Sequence, residues 1–193
     1  MKKLFAGLFI IVIILIIWFF ISYNGLVSKE ENVNQQWAQV EATYQRRLDL
    51  IPNLVATVKG YAEHEKSTLL DVTNARSKAY ETPSNNVLNN PDAFSQYTRN
   101  QAALGSALNK LLVVVEKYPD LKASQNFLAL QSQLEGTENR INVARQRFNE
   151  AVKVYNTAIR LFPGNIVAYI VHFQAKPFYQ AEPQAAQAPN VSF

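Results

Sequence analysis

The sequence predicts an all-α protein: an N-terminal transmembrane helix followed by a bundle of long antiparallel helices, up-down-up in order, with a kink near Pro52. Three observations predict it. Lys2 and Lys3 precede an unbroken apolar run over residues 4–21. Beyond Ser28, apolar residues recur at every third or fourth position for about fifty residues, which is the helical period. Glycine is sparse, six residues in 193, and only residues 166–173 have the β-branched and aromatic content of a strand.

The apolar run comes first. Eighteen helical residues span about 27 Å, close to the hydrocarbon thickness of a bilayer. A cleaved signal peptide has a shorter apolar region and a small-x-small cleavage site. This run instead leaves through Ser22, Tyr23, Asn24 and Gly25, with no Ala-x-Ala and no cysteine for lipid attachment. Two lysines lie before it, and only Lys29, beside Glu30 and Glu31, lies close after it. The positive-inside rule leaves the N-terminus in the cytoplasm and the remainder outside, with Trp18 and Tyr23 near the outer headgroups.

After the anchor, Ser28 with Glu31 reads as a capping box that opens the bundle. The first stripe is Val33, Trp37, Val40, Tyr44, Leu48, Ile51, Leu54, Val58, Ala62, Leu69, Val72 and Ala79. Pro52 interrupts it, which predicts a kink or two abutting helices, with Asp49 and Asn53 placed to satisfy groups that the kink frees. Residues 82–90 form the first loop. Asn90 caps a helix with Pro91 at its first position, running to about Tyr118. Pro119 stops it, Asp120 can cap the next, and that helix runs to about Phe162 before Pro163 and Gly164. Residues 166–173 are open between strand, extended arm and helix. The tail from Lys176, rich in Pro, Ala and Gln, has the composition of a disordered segment.

Several stretches are similar to the LemA family. They are Asn24-Gly25-Leu26-Val27, Gln35-Gln36-Trp37-Ala38-Gln39-Val40 and Arg46-Arg47-Leu48-Asp49-Leu50-Ile51-Pro52-Asn53-Leu54. Further on they are Asn142-Val143-Ala144-Arg145-Gln146-Arg147-Phe148-Asn149-Glu150-Ala151, Phe162-Pro163-Gly164-Asn165 and Lys176-Pro177-Phe178-Tyr179, with Ala188 to Phe193 at the end. The resemblance covers essentially the whole chain and is weakest over 82–137. It implies a bacterial single-pass membrane protein with a helical-bundle domain, and it brings no established activity or catalytic residue.

Chemistry-bearing groups are few. With no cysteine there is no disulfide, thiolate catalysis or cysteine-based metal site. The net charge of +4 is evenly spread, without the basic block that nucleic acid requires. His64, between Glu63 and Glu65, reads as part of a solvated face, and His172 as a packed or interface residue. Two histidines so placed support no Ser-His-Asp arrangement. Glu138, Asn142, Arg145, Asn149 and Asn156 share one face of the last long helix. They read as a polar seam fixing register, a binding groove or a solvated face.

A straight helix over 28–80 would be about 80 Å long and its neighbour over 91–118 only about 42 Å. That leaves Val33, Trp37, Val40 and Tyr44 uncovered near the membrane, an exposed stripe suited to self-association, with Phe193 at the end of an extended arm as a second contribution. The alternative is that Pro52 folds this stem back onto the bundle.

The domains expected are an anchor over 1–23, a helical bundle over 24–165 and an extended arm or tail over 166–193. The function expected is a non-enzymatic scaffold or adaptor that self-associates and organises or shapes the bacterial inner membrane, its bundle on the periplasmic side. The alternative is an extracytoplasmic ligand- or peptide-binding module; an enzyme is third. No cofactor or metal is expected. The partners expected are the lipid bilayer, further copies of the chain and a membrane or periplasmic protein.

Overall fold

A computed structural model describes residues 2–62, 64–81 and 86–180, residues 2–4 by backbone alone. It has six α-helices among these: α1 (Lys2–Lys59), α2 (Lys66–Glu81), α3 (Pro91–Val115), α4 (Pro119–Lys122), α5 (Gln125–Ala158) and α6 (Gly164–Val171). A 3₁₀ turn, Val87–Asn89, precedes α3, and no strand occurs among the described residues.

The first helix corrects two expectations. It runs for 58 residues through Gly25, Ser28 and Pro52 alike. Ser28 therefore caps nothing: Ser-x-x-Glu spacing also fits a helix interior, and one glycine costs only about 1 kcal/mol there. Nor does the helix end at Pro52. A proline cannot donate to the carbonyl four residues back, here Leu48. The Leu48 carbonyl instead accepts a hydrogen bond from Arg76 Nε of α2 at 2.9 Å. Asp49 and Asn53, expected to serve this purpose, are engaged elsewhere. The Asp49 carboxylate accepts from Gln45 and the Asn53 carbonyl from Thr57. The interruption falls at residues 60–65, where Gly60, Tyr61 and Ala62 close turns onto Ala56 and Val58 carbonyls. Beyond this break α2 joins the three long helices of the bundle.

Asn90 caps α3 as its sequence suggests, its side chain accepting from the Asp92 and Ala93 N–H groups, with Pro91 in the first turn. Of residues 166–173, those up to Val171 are helix rather than strand or arm. α6 ends at His172, whose left-handed backbone (φ 63°) terminates it while the Phe173 N–H bonds the Ala168 carbonyl. His172 is exposed, not packed, and His64 is exposed as expected. From Phe173 to Gln180 the chain is without regular structure.

Two compact units share α1 and α5. One comprises the residues up to Ala38 with Arg147–Lys176. Its interior places Trp37 against Phe148, ring centroids 5.3 Å apart, over buried Val33, Ala151, Val152 and Tyr155. α6 buries Val167 and Ala168 against Leu26, with Trp18, Phe19 and Tyr23 packed alongside. The segment after α6 is strapped down: Tyr155 donates to the Gln174 carbonyl, and the Asn156 side chain both donates to and accepts from the Lys176 backbone at 2.9 Å. Lys176 Nζ, 6% exposed, pairs with Glu30 at 2.8 Å.

The other unit comprises Gln39–Gln146 with the segment that begins at Pro177. Its core joins Leu48, Ile51, Leu54 and Val58 of α1 to Leu69 and Val72 of α2, Leu104, Leu108 and Leu111 of α3, Leu121 of α4 and Phe127 of α5.

Gly164 opens α6 in close contact with the preceding helix end: a Cβ there would run into the Ala158 carbonyl oxygen. Gly136, inside α5, has nothing within 4 Å of its missing Cβ. Gly164→Ala should therefore destabilise by about 1–3 kcal/mol. Gly136→Ala should stabilise by roughly 0.5–1 kcal/mol. Thermal unfolding of the full chain in detergent, followed by circular dichroism, checks both signs.

Candidate functional site

The stripe expected to be exposed is covered within the chain: Val33 and Val40 are fully buried, and Trp37 and Tyr44 nearly so. The expectation rested on helix lengths that assumed one helix over 28–80, and the break at 60–65 removes that premise. The stripe is core, so it offers no free surface for self-association. The tail contribution, Phe193 and the arm leading to it, lies outside the described residues.

Tyr44 instead belongs to a buried polar–aromatic cluster in the second unit. The Arg145 guanidinium donates to its phenol oxygen from Nε at 2.8 Å and from Nη2. Tyr179 Oη lies 2.9 Å from the same oxygen. The two hydroxyls share one hydrogen bond, which either can donate. Arg145 also lies over the Tyr179 ring, 4.6 Å from its centroid. Tyr97 meets Tyr44 edge-on at 5.9 Å, and Phe94 meets Tyr179 edge-on at 5.6 Å.

Arg47, one helical turn after Tyr44, is 4% exposed. Its Nη2 donates to both the backbone carbonyl and the side-chain oxygen of Gln101, at 2.9 and 2.8 Å. Its Nη1 pairs with half-exposed Glu138 at 3.3 Å. Among the described residues its Nε has no hydrogen-bond partner. A cavity of about 350 Å³ opens above it between α3 and α5. Ala102, Leu108, Leu112 and Leu134 give it apolar walls, and Gln101, Asn109, Gln131, Glu135, Glu138 and Arg145 give it polar groups. Neither histidine lines it, and among the described residues no cluster of His, Cys, Asp and Glu could hold a metal ion.

The five residues read as a seam do not act as one. Glu138 and Arg145 meet the Tyr44–Arg47 cluster. Asn156 clamps the Lys176 backbone, Asn149 is half-buried, and Asn142 faces solvent. Sequence reasoning missed Arg47, Gln101, Tyr97 and Tyr179. An arginine at the spacing of an apolar stripe, four residues before Ile51, is the signal that could have found the first.

Burial pushes the Tyr97 and Tyr179 phenols well above their ordinary range, neighbouring Tyr44 adding to the effect. Both are neutral at physiological pH. A group whose folded pKa is raised contributes stability that is complete below its unfolded pKa, about 10, and is lost as pH rises beyond it. The thermal midpoint should therefore fall from about pH 10 upward, and Tyr97→Phe should flatten that fall; melting curves across alkaline buffers check this. Tyr44→Phe strands two Arg145 donors, and should cost about 1–3 kcal/mol. Arg47→Met leaves the Gln101 acceptors unpaired, and should cost about 3 kcal/mol. Urea unfolding of the detergent-solubilised chain measures both.

The LemA family profile matches residues 36–193. The chain is 25% identical over 189 residues to magnetosome proteins MamQ 1 and MamQ 2 of Paramagnetospirillum magneticum, an alignment covering 88% of this chain and 68% of each relative. It is 26% identical over 183 residues to protein LemA of Metamycoplasma hominis, covering 93% and 80%. One helix among the described residues is long and apolar enough to cross a membrane, with no buried residue in its most apolar 18-residue window, whose mean hydropathy is 3.0. Matched over most of its length, this membrane-associated helical-bundle chain belongs to the LemA family.

Proposed function

We propose that the chain is a single-pass inner-membrane adaptor that binds a partner and catalyses no reaction. Its N-terminus is cytoplasmic and its helical units stand on the far side of the membrane. The observation that carries this reading is the cleft over Arg47. Its apolar walls suit an aliphatic side chain, its Asn and Gln groups suit a peptide backbone, and its paired charges suit a zwitterionic or mixed-charge segment. The occupant is a peptide segment of a membrane or extracytoplasmic protein. The two histidines are exposed and outside the cleft, so neither imidazole can serve as a base there. A role in organising the membrane is the broader setting in which such an adaptor works.

Self-association remains compatible with this reading, because an anchor confines copies to two dimensions. With the stem stripe buried, confinement raises encounters without specifying a contact.

The chain has no cysteine, so Asn109→Cys places a sole thiol at the cleft mouth. An impermeant maleimide should label it from the non-cytoplasmic side, and markedly more slowly in native membranes than in purified, reconstituted protein. Exposed Lys153→Cys should react equally in both. Equal rates at 109 would defeat the binding reading, and labelling only after the cytoplasmic side is opened would invert the orientation.

A further inference from the structure

Between Arg160 and Lys176 the chain carries no Asp, Glu, Lys or Arg. Within this stretch α6 turns Val167 and Ala168 inward. Its other face leaves Ile166, Tyr169 and Ile170 exposed, Tyr169 at 85%. The turn before it exposes Leu161 and Phe162, the latter at 77%. Single exposed apolar side chains are ordinary, but a contiguous group on one short helix and its leading turn marks a contact surface.

What α6 leans on identifies the contact. Trp18 and Phe19, packed beside Val167 and Ala168, belong to the last turn of the apolar run over 4–21. The neighbouring side chains of that run, Phe20 and Ile21, are exposed. Packed helices have axes about 8–10 Å apart, so α6 lies at the depth of the residues it touches. The medium that surrounds Phe20 and Ile21 therefore also meets the outer face of α6.

We propose that α6 and the turn at Leu161 and Phe162 lie in the acyl-chain boundary of the leaflet where the spanning run ends. The chain then holds the bilayer by two elements, a spanning helix and an interfacial one. Tyr169 supplies the amphipathic ring that favours the headgroup boundary. Exposed Arg160, before the turn, and His172, at the end of α6, sit where phosphates would meet them. The inference goes beyond the adaptor reading and rests only on its membrane-spanning part.

The test uses the full chain in vesicles of phosphatidylethanolamine and phosphatidylglycerol. Nitroxide labels are attached singly through Ile13→Cys, Gln35→Cys and Tyr169→Cys. Collision with oxygen, enriched in acyl chains, is compared with collision with a water-soluble nickel complex. Position 13 should favour oxygen and position 35, about 21 Å of helix beyond Ile21, should favour nickel. Position 169 should resemble position 13, with oxygen collisions several-fold more frequent than nickel collisions. If 13 favours oxygen and 169 favours nickel, this proposal fails alone. If 13 favours nickel, the membrane-spanning reading fails with it. If 169 is shielded from both agents and shows dipolar broadening between labels, a second copy covers α6 and the proposal is overturned.

Discussion

A single carbonyl oxygen decides whether α1 is one helix or two. Pro52 deprives the Leu48 carbonyl of its intrahelical donor, and a buried unpaired carbonyl costs about 1–3 kcal/mol. Arg76 Nε takes the donor's place. It reaches from α2, so the bond that keeps α1 continuous is also one that fixes α2 against it. Leu48 and Ile51 on α1, and Val72 on α2, then meet in the same core. Continuity at Pro52 and packing of α2 are one event. Because the helix persists, Leu48 and Ile51 before the proline and Leu54 and Val58 after it keep a common face, which the core of the second unit uses.

Within the second unit the polar cluster is organised by the scarcity of acceptors. Two arginines approach Tyr44, yet only Arg145 hydrogen-bonds its oxygen. Arg47 lies over the ring, 4.8 Å from its centroid, and sends its Nη2 to Gln101. Each cation therefore has its own acceptors and an aromatic face besides, an arrangement worth about 0.5–2 kcal/mol per desolvated cation–ring contact. Arg47 Nε alone in this cluster is left without a hydrogen-bond partner among the described residues, and the cluster forms one edge of the cleft. A binding surface set on groups already held in place loses little entropy when a partner arrives.

What could be read in the sequence was whatever local chemistry settles. Asn90 and Pro91 mark the start of α3 because cap and first turn need only each other. The apolar stripe from Val33 to Val58 was legible as a buried face, since helical spacing shows that a face is apolar. Spacing does not show what covers that face, and Trp37 was therefore taken for a surface when Phe148 covers it. Ser28 misled for the complementary reason. At Pro52 the sequence leaves a kink and two abutting helices open; the helix runs on because the proline is answered by a residue 24 positions later, and no window around a proline contains that. The polar face of α5 was equally half-legible: Arg145 and Asn156 share a side, yet their partners, Tyr44 and the Lys176 backbone, come from distant segments.

The segment after α6 shows how such distant partners are recruited. α6 ends in a left-handed residue, and the uncharged chain beyond it must be directed without secondary structure of its own. Asn156 supplies what a neighbouring strand would, one donor and one acceptor to the Lys176 backbone. The buried Lys176 ammonium, costly without a counter-charge, is paired with Glu30. Removing Glu30 would leave that ammonium uncompensated, whereas removing Lys176 would leave a carboxylate that water can still reach. The asymmetry identifies Lys176 as the more constrained member, and its backbone clamp as the feature that orients it. A segment of weak intrinsic structure is thus held as far as Lys176 by two side chains, Asn156 on α5 and Glu30 on α1.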